Sequence, residues 1–117
     1  MRICFFGSSF FSVPSLLALK EWVSVVVTKK PKPKGRGYIY EDNEVKKCAL
    51  SLKLPVIEIS SFMDEESQKI FDFEIDLIVT VSFGLIIPEK ILNLPTIGSI
   101  NVHPSLLPKY RGPSPIQ

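Results

Sequence analysis

Five short apolar runs, separated by longer mixed segments, set the plan of this chain. The first, Ile3 to Phe6, predicts a buried strand. The segment Gly7-Ser-Ser-Phe-Phe-Ser12 turns from it into a helix, with Ser12 as N-cap and Pro14 in the first turn, where its missing N–H does no harm. Leu16, Leu17, Ala18 and Leu19 make that helix largely apolar, and it is expected to end near Trp22. Val23 to Thr28, β-branched almost throughout, is the second strand. Strand, helix, strand implies a right-handed crossover and a parallel pair. Between Glu41 and Lys53, Val45, Cys48, Ala49 and Leu52 fall at i, i+3, i+4 and i+7, the spacing of one helical face. Pro55 to Ile59 is a short third strand. Ser60 and Ser61 then cap a helix with Asp64 and Glu65 in its first turn and Ile70 and Phe73 facing inward. Asp76 to Ser82 is nearly continuous in apolar residues, as a central parallel strand covered on both faces requires. A glycine turn, Phe83 to Pro88, leads into a helix with Ile91 and Leu92 on the core side. Pro95 and Gly98 bracket the connection to a fifth strand, Ser99 to Val102. The pattern is that of an α/β protein built on an open parallel sheet with helices on both faces.

A length of 117 residues suits one domain with a real core, and 45% apolar with 22% charged residues is ordinary globular composition. No apolar run approaches a membrane span, and Gly7-Ser-Ser follows the first strand too soon for a signal-peptide core. Cys4 and Cys48 lack metal-ligand spacing. They read as buried or half-buried thiols in a reducing cytoplasm. The turn after the first strand holds one glycine where a dinucleotide fingerprint needs three, so neither NAD nor FAD is expected; Gly7 serves a tight strand-to-helix turn.

The net charge of +2 is unevenly spread. Lys29, Lys30, Lys32, Lys34 and Arg36 are five of the 14 Lys and Arg residues, and without them the 12 Asp and Glu would outweigh the rest. Lys29 to Tyr40, with prolines at 31 and 33 and glycines at 35 and 37, is expected to be a loop. One reading is a solvated surface segment. The other is an arm that tracks phosphates, bending at Gly35 and Gly37 around Arg36, with Tyr38 and Tyr40 available to stack on a base.

Candidate chemistry gathers at the end of the fifth strand. Asn101 and His103, the only histidine, are two apart and so share one side of an extended strand. An amide donor then stands beside a group that titrates near neutral pH, at the carboxyl edge where open α/β sheets bind ligands. The Phe83-Gly84 turn belongs to the same edge. Taken alone, this reads first as a strand end followed by a proline-rich loop.

The whole string is more specific. Asn101-Val-His103, Ser105-Leu-Leu-Pro108 and Tyr110-Arg-Gly112 together resemble the signature of the folate-dependent formyltransferases, and Pro115-Ile-Gln117 looks most like their methionyl-tRNA branch. Phe6-Gly-Ser-Ser-Phe-Phe-Ser12 is similar to the first turn of that branch, and Gly35-Arg36-Gly37 matches the core of its basic loop. The resemblance implies a Rossmann-like sheet and transfer of a formyl group from 10-formyltetrahydrofolate to the amine of initiator methionyl-tRNA, with no metal. It assigns catalysis to Asn101 and His103. Folate contact falls to Phe83, Gly84, Leu85, Ile86, Ser105, Leu106, Leu107 and Pro108, and tRNA contact to Lys34 and Arg36. It also implies a cytoplasmic protein, monomeric at full length and without membrane association.

It further implies a catalytic aspartate beyond Gln117. Residues 1–117 would then be the N-terminal portion of the catalytic domain, the sheet incomplete at its C-terminal side. The rest of that domain and a C-terminal β-barrel domain would be absent, and this piece inactive alone. Other acceptors stay open. Pro104 is typical of glycinamide ribonucleotide formyltransferase, and sugar-nucleotide formyltransferases share the Ser-Leu-Leu-Pro and Tyr-Arg-Gly elements. A folate- or RNA-binding module without catalysis is the reading from a different class.

Overall fold

In a computed structural model, residues 1–31, 33–34 and 39–103 are described. Five strands form one sheet: β1 (Ile3–Gly7), β2 (Val23–Lys29), β5 (Val56–Ile59), β6 (Leu77–Val81) and β7 (Gly98–Val102). Their order is β5-β2-β1-β6-β7, and every neighbouring pair is parallel. This is the open, Rossmann-like α/β sheet expected from the sequence.

Alternation along the strands divides the core in two. Ile3 and Phe5 of β1 pack with Leu16 of α1 (Val13–Leu19) and with Val45 and Ala49 of α2 (Glu44–Ser51). Cys4 and Phe6 point the other way, into a cluster with Ile70, Phe83 and Ile91. That second face is covered by a 3-10 helix (Glu65–Asp72) and the single turn α3 (Glu89–Leu92). β7 is the edge strand. Ser99 to Val102 are exposed, including Ile100 at 49%.

Several local expectations are corrected. α1 ends at Leu19, and Trp22 sits in the turn that follows. Ser12 stands at the N-cap position but makes no capping bond; Ser9 accepts from the Phe11 N–H instead. Ser12 is fully buried, and its hydroxyl donates across to the Val81 carbonyl. α2 is shorter than its periodic stretch because Asn43 caps it, accepting from the Lys46 N–H at 2.8 Å. The segment after β5 is a 3-10 helix beginning after Asp64, not an α-helix capped by Ser60 and Ser61. The Asp64 carboxylate turns back to accept from the Ser60 N–H, and Ser61 accepts from the Met63 N–H, so both serines are spent on the preceding turn. Leu92 is exposed, since one turn of helix can direct only Ile91 inward. Within the expected loop, β3 (Pro33–Lys34) pairs antiparallel with β4 (Ile39–Tyr40).

Cys4 is a buried free thiol and Cys48 a partly buried one, and burial pushes both thiols up from their ordinary values. No helix among the described residues is long and apolar enough to cross a membrane.

Candidate active-site cleft

The cleft forms where β6 and β7 part company. The parallel ladder pairs Thr80 with Asn101 and Val81 with Val102, and β7 ends there. The chain after β6 turns sharply away: Ser82 has φ of 50° and Gly84 of 87°, both left-handed. Glycine adopts that conformation freely, and other residues only at a cost. A cavity of about 310 Å³ opens between the turn and the strand end. Thr80, Asn101 and His103 line it together with the stretch Ser82 to Ile86. A second hollow of about 420 Å³ shares Thr80, Leu85, Ile86 and Asn101 with it and extends toward Ile100 and Leu92. The two form one furrow along the edge of the sheet.

Asn101, Val102 and His103 all line the cavity, His103 just past the end of β7. Asn101 and His103 are both exposed, and among the described residues neither side chain has a hydrogen-bond partner. An amide donor and an imidazole therefore face one cavity with the Gly84 turn opposite. Phe83 plays two parts. Its ring is 2% exposed and packs edge-on against Phe6 at 5.2 Å, while the residue still borders the cavity. Leu85 is half-buried against the core, and Ile86 is almost fully exposed at 94%.

Two features of the cleft are not evident from sequence. Ser8, just past β1, donates its backbone N–H to the Ser82 carbonyl at 3.1 Å and its hydroxyl to the Phe83 carbonyl at 2.7 Å. Lys29, the last residue of β2, reaches across so that its ammonium would lie 3.1 Å from a Cβ placed on Gly84. The sequence grouped Lys29 with the basic arm; its place at the carboxyl end of a strand was the available signal.

Ser105, Leu106, Leu107, Pro108 and Arg36 lie outside the described residues, and Lys34 is placed only as part of the β3 backbone. Among the described residues no cluster of His, Cys, Asp and Glu could hold a metal ion.

The charged groups with perturbed ionisation sit elsewhere. Asp76, before β6, accepts from the Arg2 backbone N–H and guanidinium and from the Thr96 hydroxyl. These bonds, the Arg2 guanidinium first among them, hold its carboxyl down to about 2. Arg2 also pairs with Glu74. This network joins the amino ends of β1 and β6, the opposite edge of the sheet from the cleft, and its role is structural.

A family model described as formyl transferase matches residues 1–117. The chain is 45% identical over 118 residues to the methionyl-tRNA formyltransferase of Macrococcus caseolyticus, covering 98% of this chain and 38% of that protein. It is 45% identical to the protein of the same name from Mycoplasmopsis pulmonis, covering 100% of this chain and 41% of the relative. Against that of Enterococcus faecalis the identity is 44%, over 98% of this chain and 38% of the relative. The chain thus spans about two fifths of the length of these relatives.

Proposed function

The chain belongs to the formyl transferase family, and from that premise we propose that its cleft receives 10-formyltetrahydrofolate and delivers the formyl group to the amine of methionyl-tRNA in the cytoplasm. One observation carries the reading. The amide of Asn101, the ring of His103 and the backbone turn from Ser82 to Ile86 border a single cavity at the carboxyl edge of a parallel sheet. Its size, and the apolar Leu85 and Ile86 beside a few polar groups, suit a flat heteroaromatic ligand.

The chemistry required is acyl transfer. The acceptor amine adds to the formyl carbon, and the carbonyl oxygen gains negative charge. Asn101 donates an amide N–H to that oxygen. The imidazolium form of His103 would give its proton to the departing N10 nitrogen as the C–N bond breaks, and the attacking amine gives up one proton to solvent. Aimed donors of this kind lower such barriers by about 3–4 kcal/mol, and a placed general acid adds roughly 10²–10⁴ in rate. The family resemblance assigns Ser105 to Pro108 to folate contact. Lys34 and Arg36 are assigned to the phosphates of the acceptor arm.

The test uses the complete gene product. Asn101→Ala and His103→Ala should each lower kcat for formylation of methionyl-tRNA by about 10²–10³, with donor affinity held within a few-fold. Wild-type-like kcat for His103→Ala would remove the assignment. Glycinamide ribonucleotide and an amino-sugar nucleotide, offered as competing acceptors, separate the acceptor classes. Arg36→Ala should weaken tRNA binding and flatten its salt dependence by about one ion, leaving folate binding intact.

A further inference from the structure

We infer that Ser8 is a positioning residue for the folate-binding wall of the cleft, an inference that rests on the donor reading above. The wall depends on two left-handed residues, Ser82 and Gly84, on either side of Phe83. Glycine explains the second but not the first. Ser82 is an L residue held in a conformation it adopts only at a cost, so something must hold it there.

Three contacts do so: two come from Ser8, just past the carboxyl end of β1, and the third is ring packing by Phe6 of β1 and Phe62, which follows β5. The Ser8 N–H donates to the Ser82 carbonyl at 3.1 Å. The Ser8 hydroxyl lies 2.7 Å from the Phe83 carbonyl and 3.2 Å from that of Ser82. Its one proton serves the nearer oxygen chiefly. From below, the Phe83 ring is wedged between Phe6 and Phe62, with centroids at 5.2 and 6.1 Å. The ring fixes where the residue sits. The Ser8 hydroxyl fixes how its peptide plane is turned, and hence the direction taken by the backbone of Gly84 to Ile86 across from Asn101 and His103. Ser12 is a different case. Its hydroxyl holds the Val81 carbonyl, inside the strand and before the turn.

The difference between the two serines supplies the experiment, again on the complete gene product. Ser8→Ala removes the hydroxyl and keeps the backbone bond. It should raise the donor KM, and the Kd for 5-formyltetrahydrofolate measured by calorimetry, by about three- to tenfold, with the KM for methionyl-tRNA unchanged. Ser8→Thr, which keeps a hydroxyl, should recover most of that loss. Ser12→Ala should lower Tm yet leave the folate Kd within twofold. Amide hydrogen exchange gives a readout free of any ligand: the amides from Phe83 to Ile86 should exchange several-fold faster in Ser8→Ala and not in Ser12→Ala. An unchanged folate Kd in Ser8→Ala, or a shift no larger than that of Ser12→Ala, overturns the inference, as does unchanged exchange of the turn. If the unaltered protein fails to bind 5-formyltetrahydrofolate, the donor reading falls with it. The exchange comparison then still decides whether Ser8 holds the turn.

Discussion

Replacing Gly7 with alanine tests the packing between the end of β1 and the start of α1. A Cβ on Gly7 would lie 2.8 Å from both Cβ and Oγ of Ser12 and 2.9 Å from the ring of Phe5. Ser12 and Phe5 are both fully buried, so neither can swing into solvent. Overpacking of this kind costs about 1–3 kcal/mol. Ser12 can retreat only by weakening its bond to the Val81 carbonyl, which adds about 1 kcal/mol. Against this, alanine restricts the unfolded chain and returns about 0.4–1 kcal/mol. The net loss expected is about 2–3 kcal/mol. With a urea m-value of about 1.5 kcal/mol/M, the midpoint should fall by roughly 1.3–2 M at constant m. A double-mutant cycle with Ser12→Gly assigns the cause, because removing the Ser12 side chain should relieve at least about 1 kcal/mol of the penalty. A loss below about 0.5 kcal/mol for Gly7→Ala, or additive behaviour in the cycle, would refute the steric argument.

Two further outcomes follow from groups away from the cleft. The Asp76 carboxyl is held down to about 2 by Arg2 and Thr96, so its contribution to stability is complete above the unfolded value near 3.8 and drains away as pH falls from about 4 toward 2. Asp76→Asn should flatten that limb of a pH-dependent urea titration, and an unaltered acid limb would show that the pairing with Arg2 carries no weight. Cys4 is completely buried with its thiol pushed up, and Cys48 only partly so. In the native protein an aromatic disulfide reagent should therefore leave Cys4 untouched while Cys48 reacts slowly, with both thiols appearing on addition of denaturant. Rapid native reaction of two thiols would contradict the placement of Cys4 in the β1 core.

What could be seen in the sequence was whatever depends on period. The strands are runs of Val, Ile and Phe, and their parallel direction follows from alternation with helical segments, whereas the order β5-β2-β1-β6-β7 is not read from the sequence. The expectation that Asn101 and His103 share one side rests on the two-residue repeat alone; both line the cavity, as does Val102 between them, and His103 lies just past the end of β7. What could not be seen depends on contacts between distant segments. Ser12 reads as a helix cap because serine before an apolar helix usually is one; its hydroxyl is claimed by Val81, 69 residues away. Gly7 reads as a turn residue, but its φ is not left-handed; it is small because Ser12 and Phe5 press against it. Ser60 and Ser61 were closer rivals. Asp64 lies near enough in sequence to capture the Ser60 N–H, and local competition of that kind leaves no periodic trace. Lys29 could be counted as a charge, whereas its reach to Gly84 depends on β2 and β6 sharing β1 as a neighbour.

Phe83 has a consequence for how such a cleft can change over time. Its ring is anchored among Phe6 and Phe62, while Leu85 is only half-buried and Ile86 almost entirely free. The residue that keeps the wall upright is thus separate from the residues that present the wall's surface. On the proposed folate reading, substitutions at Ile86 would alter the ligand-facing surface at little cost to the folded state. Drift at Phe83 endangers the whole domain before it ever alters selectivity. The turn is a replaceable facing on a fixed post, and new ligand preferences would be expected to arise first in the facing.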